Sequence, residues 1–127
     1  MKFRKMYSKK WSMCYVAASL TLDGSVYAAF ASEDRDMEGA VLVSGEIENS
    51  LWKAPGGCMG IVQVPGKDEF VCIQRFYPIF QSEKAEIAWY YKKDGEWERE
   101  VLDIVPFVHR IEIVSENKKQ YLIISKL

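Results

Sequence analysis

His109 and Arg110 stand side by side at the start of an alternating apolar run. An imidazole titrates near neutrality and a guanidinium is a fixed cation. The pair could therefore bind an anionic sugar, or serve as acid and base. His109 is the only histidine, and spacing places no acidic partner beside it. The structural alternative is a histidine that caps a strand start. Trp89, Tyr90, Tyr91 and Trp97 crowd one hairpin. Trp89, Tyr91 and Trp97 are the candidates for a platform on which a pyranose could stack. Period-2 alternation sets Trp89 and Tyr91 on one side and Tyr90 on the other, so one of these sides packs as core.

Gly56-Gly57-Cys58-Met59-Gly60 has the glycine density of a phosphate cradle. Such a cradle needs a helix N-terminus after it, and here a strand pattern follows. A tight crossover between units explains the glycines better. Cys58 shows neither a neighbouring base nor any feature that would lower its pKa. Cys14, Cys58 and Cys72 form no C-x-x-C, and one histidine cannot complete a zinc set. Cys14 and Cys72 lie within apolar strand patterns and are expected to be buried free thiols. Glu33, Asp34, Asp36 and Glu38 read as a solvated acidic loop. No metal or cofactor is expected, and no catalytic motif is found.

The elements that must position these residues are strands. Residues 11–20 and 25–31 flank Asp23-Gly24, a turn pair that accepts positive φ. Residues 40–43 and 46–52 follow, and Ala54-Pro55-Gly56-Gly57 breaks the pattern. Residues 59–64 and 70–74 form a hairpin about Pro65-Gly66, and 85–91 and 97–104 form another about Asp94-Gly95. Four charges in the last of these suit an exposed sheet edge. A final hairpin spans 109–114 and 121–125. No stretch keeps i, i+3, i+4 apolar spacing over three turns, so no helix is expected.

The hairpins recur. Ile61 to Ile111 is 50 positions and Cys72 to Ile123 is 51. Units near 11–52, 59–104 and 109–127, the third holding two strands, point to antiparallel four-stranded units of a β-propeller-like, all-β fold within one domain, 1–127. A ten-stranded sandwich or barrel is the competing architecture. Two and a half units cannot close a ring of about 4–8 blades. The reading therefore expects either a longer chain or copies that complete one another as a homo-oligomer.

The 109–125 hairpin, entered through Phe107-Val108-His109-Arg110, resembles blades of the integrin-type propellers with FG-GAP or VCBS repeats. The resemblance covers 59–127 and extends to 11–52. It implies a strand, an Asp-rich calcium loop and an apolar strand in each blade. The corresponding loops here, 64–69 and 115–120, lack alternating Asp or Asn oxygens. Lys67, Lys118 and Lys119 put positive charge there instead, so the calcium function is expected to be lost.

Seventeen basic residues against eighteen acidic give a net charge of −1, which steers the chain to neither nucleic acid nor an anionic membrane. No apolar run approaches the ~20 residues of a membrane span. Lys2, Arg4, Lys5, Lys9 and Lys10 precede any acid, as before a secretory signal, but Asp23-Gly24 interrupts the segment that would be its apolar core. Unpaired thiols suit a cytoplasmic setting, with secretion the alternative. The function expected is a non-catalytic binding or structural module. The alternatives are a carbohydrate-active lyase or isomerase acting through His109 and Arg110, and a glycan-binding protein using Trp89, Tyr91 and Trp97.

Overall fold

Ten antiparallel strands form three open sheets in the computed structural model, which describes residues 1–10, 13–34, 39–78 and 81–127. The first sheet holds β1 (Cys14–Leu22), β2 (Ser25–Ser32), β3 (Ala40–Ser44) and β4 (Ile47–Trp52), in that order. The second holds β5 (Gly60–Gln63), β6 (Phe70–Gln74), β7 (Glu86–Lys93) and β8 (Glu96–Ile104), again in chain order. β9 (Val108–Glu116) and β10 (Lys119–Lys126) pair as a two-stranded third. The chain is thus all-β, built on antiparallel four-stranded sheets. Among the described residues there is no helix and no closed barrel.

Turn chemistry sets the pairing. Asp23 and Gly24 take φ of 50° and 77°, and Asp94 and Gly95 take 52° and 81°. Both central residues left-handed is the two-residue hairpin turn whose twist matches that of the flanking strands. Asn117 and Lys118 repeat it at 50° and 64°.

The second sheet is buried on both faces, which is why 70–74 reads as an almost unbroken apolar run. On one face Ile61, Phe70, Cys72, Ala88 and Tyr90 pack against Leu20, Ala29 and Trp52 of the first sheet. Phe70 is fully buried, with ring centroids 4.9 Å from Tyr90, 5.8 Å from Trp52 and 5.3 Å from Trp97. Such contacts contribute about 0.5–1.5 kcal/mol each beyond area burial. On the other face Val71, Ile73 and Ile87 meet Val108, Ile111, Ile113 and Leu122 of the third unit. β5 lies beside both β1 and β9, so the first strands of the three units are neighbours. The Gln63 amide fastens one of these junctions, accepting from Thr21 N at 2.8 Å and donating to Thr21 O at 3.1 Å.

One expectation needs correction, and two fall outside the described residues. Cys14 is exposed, not buried. The β1–β2 register slips between Cys14 and Val16, so Cys14 leaves the inward alternation that Val16, Leu20 and Leu22 keep. The expected start of the first strand at Trp11, and Asp36 and Glu38 of the acidic loop, lie outside the described residues.

Residues 1–10 carry no strand, and Tyr7 and Lys9 reach the first sheet. Tyr7 stacks on Phe30 at 5.7 Å and donates its hydroxyl proton to Glu48, while Lys9 Nζ donates to Glu48 Oε1 at 2.7 Å. Lys9 first, then Tyr7, hold the Glu48 carboxyl below its usual 4.5. A carboxyl depressed in this way favours the docked segment above 4.5 and loses that contribution as pH falls through the depressed value. Acidification through the depressed value should therefore loosen the hold of Glu48 on Tyr7 and Lys9. At neutral pH, Glu48→Gln should speed tryptic cleavage within residues 1–10 by up to roughly 5-fold, the upper range for an exposed ion pair.

Candidate functional site

His109 and Arg110 sit near the start of β9, between the buried Val108 and Ile111. The His109 ring is half-buried and tilts against Phe76, with centroids 6.1 Å apart; Arg110 is exposed. Among the described residues neither has a carboxylate within ion-pair distance. The pair is thus a histidine resting on an aromatic wall beside an exposed cation.

The aromatic candidates separate. Trp89 and Tyr91 share one face of β7, with centroids 4.3 Å apart, and the Trp89 indole donates to Glu69 Oε2 at 3.0 Å. Trp97 pairs with Lys92 across the β7–β8 hairpin and so lies on the opposite face, with Tyr90. There it meets Phe70 edge-on, and the Lys92 ammonium lies 5.2 Å from its ring centre. The two-residue Asp94-Gly95 turn already implies this split, because it pairs Lys93 with Glu96 and hence Lys92 with Trp97.

None of the thiols is poised as a nucleophile. Burial pushes Cys58 up to about 12 and also holds Cys72 well above the ordinary thiol range. Cys14 is also raised, chiefly by desolvation. The glycine-rich segment before β5 is the link between the first two sheets: Cys58 N donates to Ser32 O at 2.9 Å, and Arg75 N donates to Gly56 O at 2.9 Å. Among the described residues no three His, Cys, Asp or Glu side chains converge as a metal site would require.

Two features escaped the sequence reading. The first is a buried polar chain on the face of the second sheet that meets the first. The Glu86 carboxylate accepts from Arg99 and, at 3.3 Å, from Arg75; Arg99 Nε donates to Gln74 Oε1 at 2.9 Å; Gln74 Nε2 donates to Tyr90 Oη at 2.9 Å. Every member has a partner, so the chain of bonds ties β6, β7 and β8 together. The second lies on the opposite face. There the four strands of the second sheet meet only two strands, β9 and β10. Beside β10 an open hollow of about 220 Å³ is lined by Trp89, Leu102, Tyr121 and Leu122, among others. The free edge of β10 runs Tyr121-Leu122-Ile123-Ile124 without a charge. The edge strand β8, by contrast, carries Glu98, Arg99 and Glu100. Charge of that kind opposes edge-to-edge pairing, and β10 lacks it along its middle.

No helix among the described residues is long and apolar enough to cross a membrane. Comparison with known protein families, curated proteins and solved structures finds no match.

Proposed function

We propose that this chain is a non-catalytic, β-propeller-like binding or structural module that assembles with itself by adding strands to the free edge of β10. The observation that carries the reading is the half-covered face of the second sheet. A strand pair laid beside β10 would roof Trp89, Leu102 and Tyr121 and satisfy the unpaired backbone groups of that edge. On this reading Trp89 and Tyr91 are the seat of an incoming strand, not a sugar platform. Neighbouring first strands in β1, β5 and β9 support radial repetition of the units. Buried, unpaired Cys58 and Cys72 suit a reducing, cytoplasmic setting.

Solution mass by multi-angle light scattering across a concentration series tests the proposal. Twice the mass of one chain, or a larger closed multiple, is the expected result. Leu102→Glu and Ile123→Lys place charge at the seam and should weaken association about tenfold or more, the effect of losing ~1.4 kcal/mol at an interface. A monomer at every concentration overturns self-assembly.

A further inference from the structure

Lys67, Ser115, Lys118, Lys119 and Gln120 line one open hollow of about 370 Å³, where the β5–β6 turn meets the β9–β10 turn. The two turns are fixed to each other: Gln120 Nε2 donates to Pro65 O at 3.2 Å. Each is also closed locally. Lys67 N donates to Val64 O at 3.1 Å, and left-handed Asn117 and Lys118 make the two-residue turn that sets Lys118 at its tip and Lys119 at the first residue of β10. The lysines are therefore brought together by a defined backbone.

Among the described residues no carboxylate lines the hollow. Among the described residues, Lys9, Lys92, Arg75 and Arg99 each have a carboxylate within 4 Å, but Lys67, Lys118 and Lys119 have none. The chain as a whole carries −1, so this is a local concentration of positive charge and not a share in a basic surface. Three like charges around one concavity repel one another, and a multivalent anion placed between them relieves that repulsion. Ammonium groups act as point charges with rotatable donors, which suits a tetrahedral oxyanion better than a planar carboxylate. The Ser115 hydroxyl supplies a neutral donor at the same wall.

We infer that the hollow between the β5–β6 and β9–β10 turns binds the phosphoryl or sulfuryl group of a small ligand through Lys67, Lys118 and Lys119. The site lies on turn tips, apart from the Trp89–Leu102 seam, so it stands or falls independently of self-assembly.

The test is a ¹H–¹⁵N titration of the full chain with glucose 6-phosphate and, separately, glucose 6-sulfate at matched ionic strength. Saturable shifts confined to residues 66–67 and 115–120 are expected. Lys67→Gln, Lys118→Gln and Lys119→Gln should each weaken binding about 2- to 5-fold, and the triple variant on the order of 10-fold or more. Lys84→Gln, away from the hollow, should leave affinity unchanged. Added salt should weaken binding, since the contacts are exposed. Tighter binding of the phosphate, nearly a dianion at neutral pH, than of the monoanionic sulfate assigns recognition to charge, and equal binding assigns it to the tetrahedral oxygens the two share. Shifts that never saturate, that spread over lysines throughout the chain, or that persist at wild-type affinity in the triple variant overturn the site.

Discussion

Glu86→Ala is expected to lower folding stability by about 2–4 kcal/mol, read as a lower urea midpoint at unchanged slope. The Glu86 side chain is only 9% exposed and receives two guanidinium groups, Arg99 and Arg75, whose side chains are 28% and 44% exposed. Removing one partner of a fully buried pair costs about 3–5 kcal/mol, because the other charge is left without water or counter-charge. A fully exposed pair is worth about 0–1 kcal/mol. Arg99, with its side chain partly exposed, lies between these limits, and burial is the largest influence lowering its pKa. The loss also passes along the chain of bonds. Arg99 holds the Gln74 carbonyl, and Gln74 in turn donates to the Tyr90 hydroxyl, which burial keeps protonated. Pairing Glu86→Ala with Arg99→Met removes the stranded charge and should restore part of the loss. Asp23→Asn, which breaks the exposed pair with Lys92, should cost less than about 1 kcal/mol. Equal effects of Glu86→Ala and Asp23→Asn would mean that solvent already screens the network, and the assignment would fail.

That network also marks where sequence reading stops. The ten strands were legible because turn pairs such as Asp23-Gly24 and Asp94-Gly95 punctuate alternating runs, and alternation alone determines which residues share a face. Trp89 with Tyr91 follows from that rule, and so does the position of β8 at an edge. Arg99 does not stand out, because Glu98-Arg99-Glu100 looks like three solvated charges until register sets Arg99 opposite Tyr90 and turns it inward. Its partners Gln74 and Glu86 come from strands 25 and 13 positions earlier. Cys14 was misplaced by a single-residue slip in register, which no periodicity reports. The three lysines were visible as cations in two separate loops, but their convergence depends on β5 lying beside β9. Contacts between units are what a local pattern leaves out, and the hollow and the uncovered seam both lie between units.

Gly57→Ala should lower stability by about 2–5 kcal/mol. Two costs combine at this position. Gly57 has φ of +67°, where a Cβ costs roughly 1–2 kcal/mol. A Cβ there would also lie 2.7 Å from Phe76 N and 3.0 Å from Phe76 O. Those are backbone atoms, so relief requires moving the chain and not turning a side chain. The backbone cannot move freely, because Gly57 N donates to Asp34 O at 3.0 Å and Phe76 N donates to Gly57 O at 3.0 Å. Gly57 thus stands where the first sheet, the link to β5 and the segment after β6 are bonded in one row. Gly24→Ala separates the two costs, since Gly24 has φ of +77° but nothing within 4 Å of a built Cβ. It should lose only the backbone share, about 1–2 kcal/mol. With a urea slope of about 1–3 kcal/mol per molar, the two midpoints should differ by roughly 1–2 M. Coincident midpoints would show that the Phe76 backbone yields to the added methyl, and that the junction between the first two sheets is softer than its hydrogen bonds imply.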